Sequence, residues 1–178
     1  MTIQITGNGE KRAVVYPLLH ILNHFGGGLL ISDDGMYRRM FTDKDGFIGN
    51  VKLIAGSMTS FDTLKSIHTH GYDIVIRDTE DVLDNADFII RVCRSRNDNS
   101  GRAVMEICAD FERPKGKMRF IPLSLSLLRE LRNIEVSGRL GAFRNAAAVK
   151  VLCPVFADIL GVSPAAIKNL LRKGGALT

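Results

Sequence analysis

Apolar positions alternate at the start of the chain, with Ile3 and Ile5 on one side, and the pattern breaks at Gly7-Asn8-Gly9. That reads as a short strand ended by a turn. From about Tyr16 to Phe25 the apolar residues Leu18, Leu19, Ile21, Leu22 and Phe25 recur at helical spacing, and Gly26-Gly27-Gly28 stops the helix. Leu29-Leu30-Ile31 is a short continuous apolar run, the pattern of a strand covered on both faces. Residues 35–50 are polar and rich in Gly and Asp, which predicts a loop with room for one helical turn.

Val51–Ala55 reads as a strand, and Ser60–Thr69 as a helix capped by Ser60 with Phe61, Leu64 and Ile67 inward. Tyr72–Thr79 (YDIVIRDT) is the clearest buried strand. Val82–Ala86 is loop or a short helix. Phe88–Cys93, Ala103–Phe111 and Met118–Leu123 are further strands, separated by turn signals at 97–101 and 113–116. The rest is helical: Leu125–Ile134, a break at Gly138–Gly141, a helix from about Ala142 to Leu160, and a last short helix with Ser163 as N-cap and Pro164 at its first position.

Strands alternating with helices through the first ninety residues predict βαβ units. The expected fold class is α/β, a mostly parallel sheet flanked by helices with a helical C-terminal part. Ligand sites then belong at the C-terminal strand ends.

At 178 residues the chain has room for one domain with a good-sized core. A hydrophobic share of 46% and a charged share of 24% argue against disorder. No apolar run reaches the length of a membrane span and no leader-like start is present, so a cytoplasmic protein is expected. Cys93, Cys108 and Cys153 are far apart and set among apolar residues, which predicts buried free thiols rather than a disulfide framework or a thiolate metal site. Charge is uneven. Residues 1–90 carry 8 Lys/Arg against 12 Asp/Glu, whereas residues 91–178 carry 16 against 7. The positive half suits an anionic partner, whether nucleic acid, acidic lipid or an acidic protein face, and an ordinary solvated surface explains it equally well.

Three segments, in order, resemble the ParA/MinD branch (SIMIBI class) of P-loop ATPases. TGNGEKRAVV stands where that family has a Lys-Gly-Gly-x-Gly-Lys-Thr loop between a strand and a helix. GGGLLISDD is similar to the family's second strand, which ends in Asp-x-Asp, and GYDIVIRDTEDVLDNADFIIRV to the Walker B strand and its successor. RFIPLSLSLLRELRN resembles the strand and Pro-containing loop that flank the adenine, which brings in Pro122. The likeness spans roughly residues 1–135, an ATPase-like α/β domain on which residues 136–178 pack as helices.

The resemblance implies a phosphate loop at Gly7, Asn8, Gly9, Glu10, Lys11 and Arg12, with Lys11 as the phosphate lysine, Asp34 as the second Asp that orients water, and Asp78 holding the water shell of Mg²⁺. ATP or ADP with Mg²⁺ is the implied cofactor, and none if the loop cannot hold phosphate. A working P-loop presents backbone N–H groups, a Lys charge and a Ser/Thr hydroxyl for Mg²⁺. Here Glu10 replaces the Gly before the lysine, and Arg12 replaces the hydroxyl residue. Pro17 would lose a helical bond to Ala13 in a helix begun at Arg12, which predicts a helix starting near Tyr16 and displaced from the phosphate site. Ser32 stands where the family has the first Asp. Asp34 and Asp78 are also explained as turn caps at strand ends.

His20 with His24 and His68 with His70 form close pairs but lack the convergent ligands of a zinc site. Asp33, Asp34, Asp43 and Asp45 lack the EF-hand order and read as a solvated loop. Arg38 and Arg39 suit a phosphate or a partner's carboxylate, or simple exposure. Arg129, Arg132, Arg139, Arg144, Lys150, Lys168, Arg172 and Lys173 supply the positive excess.

Three functions stay open. One is a degenerate ATPase-fold protein (a pseudo-ATPase) acting as a localisation, assembly or DNA-partition factor, working with a protein partner and as a homodimer. A second is an active ATPase with an atypical loop. The third is a nucleic-acid-binding module that uses the basic half to hold DNA or another anionic surface weakly.

Overall fold

The computed structural model describes residues 1–7, 9–55, 71–79, 86–94, 105–110, 119–123, 125–140 and 146–172. β1 (Thr2–Thr6) leads through the loop into α1 (Arg12–His24), followed by β2 (Gly28–Ser32), α2 (Gly35–Phe41), β3 (Phe47–Ile48) and β4 (Val51–Ala55). Then come β5 (Val75–Asp78), β6 (Phe88–Arg94), β7 (Met105–Asp110) and β8 (Arg119–Leu123). Three helices close the chain: α3 (Leu125–Ser137), α4 (Ala146–Leu160) and α5 (Pro164–Arg172).

The strands form one sheet in the order β3-β4-β2-β5-β1-β6-β7-β8. β4, β2, β5, β1 and β6 run parallel, while β3, and then β7 and β8, join through antiparallel pairs at the two sides. The expectation of an α/β protein with a mostly parallel sheet is met, and the antiparallel strands at both sides make the sheet a mixed one. β1 sits between β5 and β6, with Ile5 opposite both Asp78 and Ile90.

Alternation along the strands separates two apolar faces. Ile3, Ile5, Leu30 and Ile76 belong to the main core with α1, α3, α4 and α5, whereas Leu29, Ile31 and Val75 form a smaller cluster with half-buried Ile54 and Tyr72. The C-terminal helices share that main core, through Leu131, Ile134, Phe156, Ile167 and Leu171.

Two expectations are corrected. α1 begins at Arg12 rather than near Tyr16, and Pro17 lies inside it. An interior proline costs about 3 kcal/mol, yet every residue from Ala13 to Leu22 is buried. Full burial of one Leu or Ile side chain returns about 1.5–3 kcal/mol, and Leu18, Leu19, Ile21 and Leu22 all achieve it. The helix continues because its apolar face outweighs one missing bond.

The second correction concerns residues 35–50, which hold α2 and the short strand β3 rather than a loop with a single helical turn. Asp34 caps α2, its Oδ1 accepting from the Met36 N–H at 2.9 Å, and Tyr37 is fully buried. Asp43 organises the following turn, its Oδ1 accepting from the N–H groups of Asp45 and Phe47. Sparse apolar residues in a polar stretch hid both elements. The expected helix at 60–69, the His68/His70 pair and the turns at 97–101 and 113–116 lie outside the described residues.

Candidate functional site

Parallel strands deliver their C-terminal ends to one edge of the sheet, where the loop after β1, Ser32 of β2 and Asp78 of β5 meet. Asp78 is 2% exposed and is the focus of the cluster. Its Oδ1 faces the Lys11 ammonium at 2.7 Å. Its Oδ2 accepts from the Tyr37 hydroxyl at 2.8 Å and the Ser32 hydroxyl at 3.1 Å. A buried carboxylate is stable only when such donors replace its lost hydration. Three elements supply them.

Ser32 has a second task, since its Oγ also accepts from the Asp34 N–H at 3.1 Å. Burial, reinforced by the Asp78 carboxylate, pushes the Tyr37 hydroxyl well above its ordinary range, so it stays a donor. Tyr16 packs edge to face on Tyr37, with ring centroids 5.8 Å apart.

A second group of charges lies beside the first. Arg12 donates to both Glu10 oxygens, through Nε at 2.5 Å and Nη2 at 2.8 Å, and its Nη1 is 3.0 Å from Glu135 of α3. The Asp34 carboxylate is more distant, at 3.9 Å from Arg12 Nε. The fork to Glu10 is the main reason the guanidinium is held even more firmly protonated than usual. Tyr16 donates to Glu135 at 3.2 Å, and burial followed by that carboxylate raises its hydroxyl above the ordinary range.

The loop glycines answer to β6. Gly9 N–H donates to the Val92 carbonyl at 2.8 Å. Gly7 has φ +105, and a Cβ there would stand 2.2 Å from the Val92 oxygen. Only glycine fits such an approach. Lys11 N–H donates to Gly9 O and Ala13 N–H to Glu10 O, so these amides too have partners within the chain.

The sequence-derived candidates thus fall into three groups. Gly7, Gly9, Glu10, Lys11, Arg12, Asp34 and Asp78 come together at one strand edge. Pro122 does not join them. It lies opposite Glu106, itself opposite Cys93, while Thr6 is opposite Arg91. Pro122 is therefore on a strand three places from β1, about 14 Å away at ~4.8 Å per strand. Asn8 lies outside the described residues. Tyr16, Tyr37, Glu135 and Val92 were not foreseen as members of the cluster.

Elsewhere, His20 is buried and its Nε2 meets the Leu170 carbonyl at 3.1 Å, while His24 Nδ1 meets the His20 carbonyl at 3.0 Å. No group of His, Cys, Asp or Glu among the described residues has the arrangement of a metal site. An open cleft of about 500 Å³ adjoins the cluster, lined by Asp33, Asp34, Arg38, Lys44, Asp45 and Lys52 among others. Among the described residues no single helix is long and apolar enough to cross a membrane.

Comparison with family models, curated proteins and solved structures finds no match to this chain. What fold and cluster define is an α/β protein with a mixed, mostly parallel sheet and a self-paired polar site at the C-terminal ends of its central strands.

Proposed function

We propose that the protein is a degenerate ATPase-fold factor of the ParA/MinD kind, which acts by positioning or assembling a partner rather than by turning over nucleotide. The observation that carries this reading is the state of the phosphate loop. Lys11, the implied phosphate lysine, is committed to the buried Asp78 carboxylate. The amides of Gly9, Lys11 and Ala13 already donate to carbonyls of the chain.

These residues do not fit a Mg²⁺-nucleotide as arranged. A phosphate would have to displace Asp78 from Lys11 and the Val92 carbonyl from Gly9. Arg12 offers no oxygen to a metal, and its guanidinium is tied to Glu10 and Glu135. Asp34 spends one carboxylate oxygen on capping α2. Lys11, Arg12 and these backbone amides are thus engaged within the chain, which supports a reading without hydrolysis.

Purified protein tests the reading through calorimetry and thermal shift with ATP, ADP and GTP, each with and without Mg²⁺. The expected result is no stabilisation by Mg-ATP, and ATP hydrolysis no faster than in Lys11→Ala. Robust Mg²⁺-dependent turnover that disappears in Asp78→Ala would overturn it in favour of an active ATPase.

A further inference from the structure

We propose that the outer face of α3 is a docking surface for an acidic, amphipathic helix of a protein partner. This rests on the reading of the chain as a factor that works through a partner, and it specifies the surface and the partner's chemistry.

α3 is divided sharply. Its inner side buries Leu131 and Ile134 in the main core. Glu135 is turned to Arg12 and Tyr16 at the flank, fixing the helix against α1. Arg129, Arg132, Asn133 and Val136 are exposed and share the opposite side, at spacings of three, four and seven. Arg139, just past the C-terminus, is exposed too. None of the three arginine side chains forms an ion pair or hydrogen bond among the described residues. Glu130, the other α3 carboxylate, is half-buried and already engaged.

Among these guanidinium groups stands Val136, 84% exposed. One exposed valine alone is unremarkable. Its setting gives it meaning, because arginines flanking an apolar residue along one stripe share the make-up of protein interfaces, where Arg is enriched and the centre is apolar. Guanidinium forks match carboxylates two bonds at a time. A helix with Asp or Glu at spacings of three and four beside an apolar residue complements all four side chains at once. A nucleic-acid backbone would use the arginines and leave Val136 idle. On α5, by contrast, exposed Lys168, Asn169 and Arg172 have no exposed large apolar residue among them.

The test uses the full chain, ¹⁵N-labelled, with three probes: a synthetic amphipathic helix bearing Glu and Leu stripes, the same peptide with Gln for Glu, and a short DNA duplex. Spectra are recorded at about 50 and 150 mM salt, which separates screened contacts from tighter ones. The Glu peptide should shift amides of residues 129–139 in a saturable way, and the Gln peptide should not. Arg129→Glu with Arg132→Glu should weaken binding about tenfold or more, and Val136→Ser by roughly threefold. Equal binding of both peptides, shifts centred elsewhere, or DNA binding indifferent to Val136→Ser with no peptide binding would each overturn the proposal. Nucleotide plays no part in these measurements. A result against the docking face is thereby distinct from Mg-ATP turnover, which would count against the proposed function.

Discussion

Lys11 and Asp78, sixty-seven positions apart in sequence, form an ion pair of 2.7 Å across neighbouring strands, with the carboxylate buried and the ammonium partly open to solvent. The register Ile5 to Asp78 brings this about, because it sets the end of β5 directly below the loop leaving β1.

Removing the two ends of this pair should have unequal effects. Asp78→Ala leaves the Tyr37 and Ser32 hydroxyls without their shared acceptor and Lys11 without a counter-charge, a loss of about 3–5 kcal/mol. Lys11→Ala leaves Asp78 with two hydroxyl donors, and solvent can reach the vacated side, so the loss should be about half as large. Urea unfolding at unchanged m-value measures both. Equal losses would mean that the hydroxyl donors contribute little.

Gly7 and Gly26 share a left-handed backbone, with φ +105 and +97, but only Gly7 is crowded. Gly26→Ala should cost about 1 kcal/mol, the backbone penalty alone. Gly7→Ala must also push back the Val92 carbonyl and should cost more than about 3 kcal/mol, or prevent folding. Midpoints of thermal or urea unfolding compare the two.

The tyrosines make stability depend on alkaline pH. Tyr16 and Tyr37 hold their protons above the ordinary tyrosine range when folded. The unfolded chain, with tyrosines at about pH 10, loses protons first. As pH rises past that point the unfolded state binds fewer protons and stability falls, while below it the contribution is complete. Ultraviolet titration should show phenolate signals from Tyr16 and Tyr37 only above the ordinary range or at unfolding. Tyr37→Phe should flatten the alkaline decline in stability.

Ser163 accepts from the Ala166 N–H at 3.2 Å and caps α5. Ser163→Ala should cost about 1 kcal/mol. Faster amide exchange is expected in Ala166 and Ile167, the residues whose N–H groups the cap region holds.

How much of this could be read in advance varied with the physics behind each feature. β1, β2 and β4 were legible because apolar runs and glycine breaks are local signals, and Ser163 because a cap lies within three residues of its target. The meeting of Lys11, Asp34 and Asp78 followed from parallel strands sharing one edge. Their pairing did not follow, because a 2.7 Å contact depends on register, which no local pattern encodes. Gly7 and Gly9 looked like residues kept open for phosphate, and their constraint comes from Val92, more than eighty positions away. The start of α1 is not legible locally, because Pro17 is a strong local signal and the burial that overrides it is a tertiary one. Tyr37 gives no signal in the sequence, because one aromatic residue in a polar stretch carries no periodicity.

The place of β1 has a further consequence, for the order of events during synthesis. Its two hydrogen-bonded neighbours are β5 and β6, with Thr2 opposite Val75 and Ile3 opposite Phe88. At about 5–20 residues per second, the first strand waits roughly 4–15 s for its nearest partner to be made. Throughout that interval the segment that becomes β1 has neither of its sheet partners, and the apolar side of α1 lacks the cover that α3, α4 and α5 give it in the folded core. A ribosome stall before residue 75 would leave the apolar residues Ile3 and Ile5, which end up at the centre of the sheet, without either neighbouring strand.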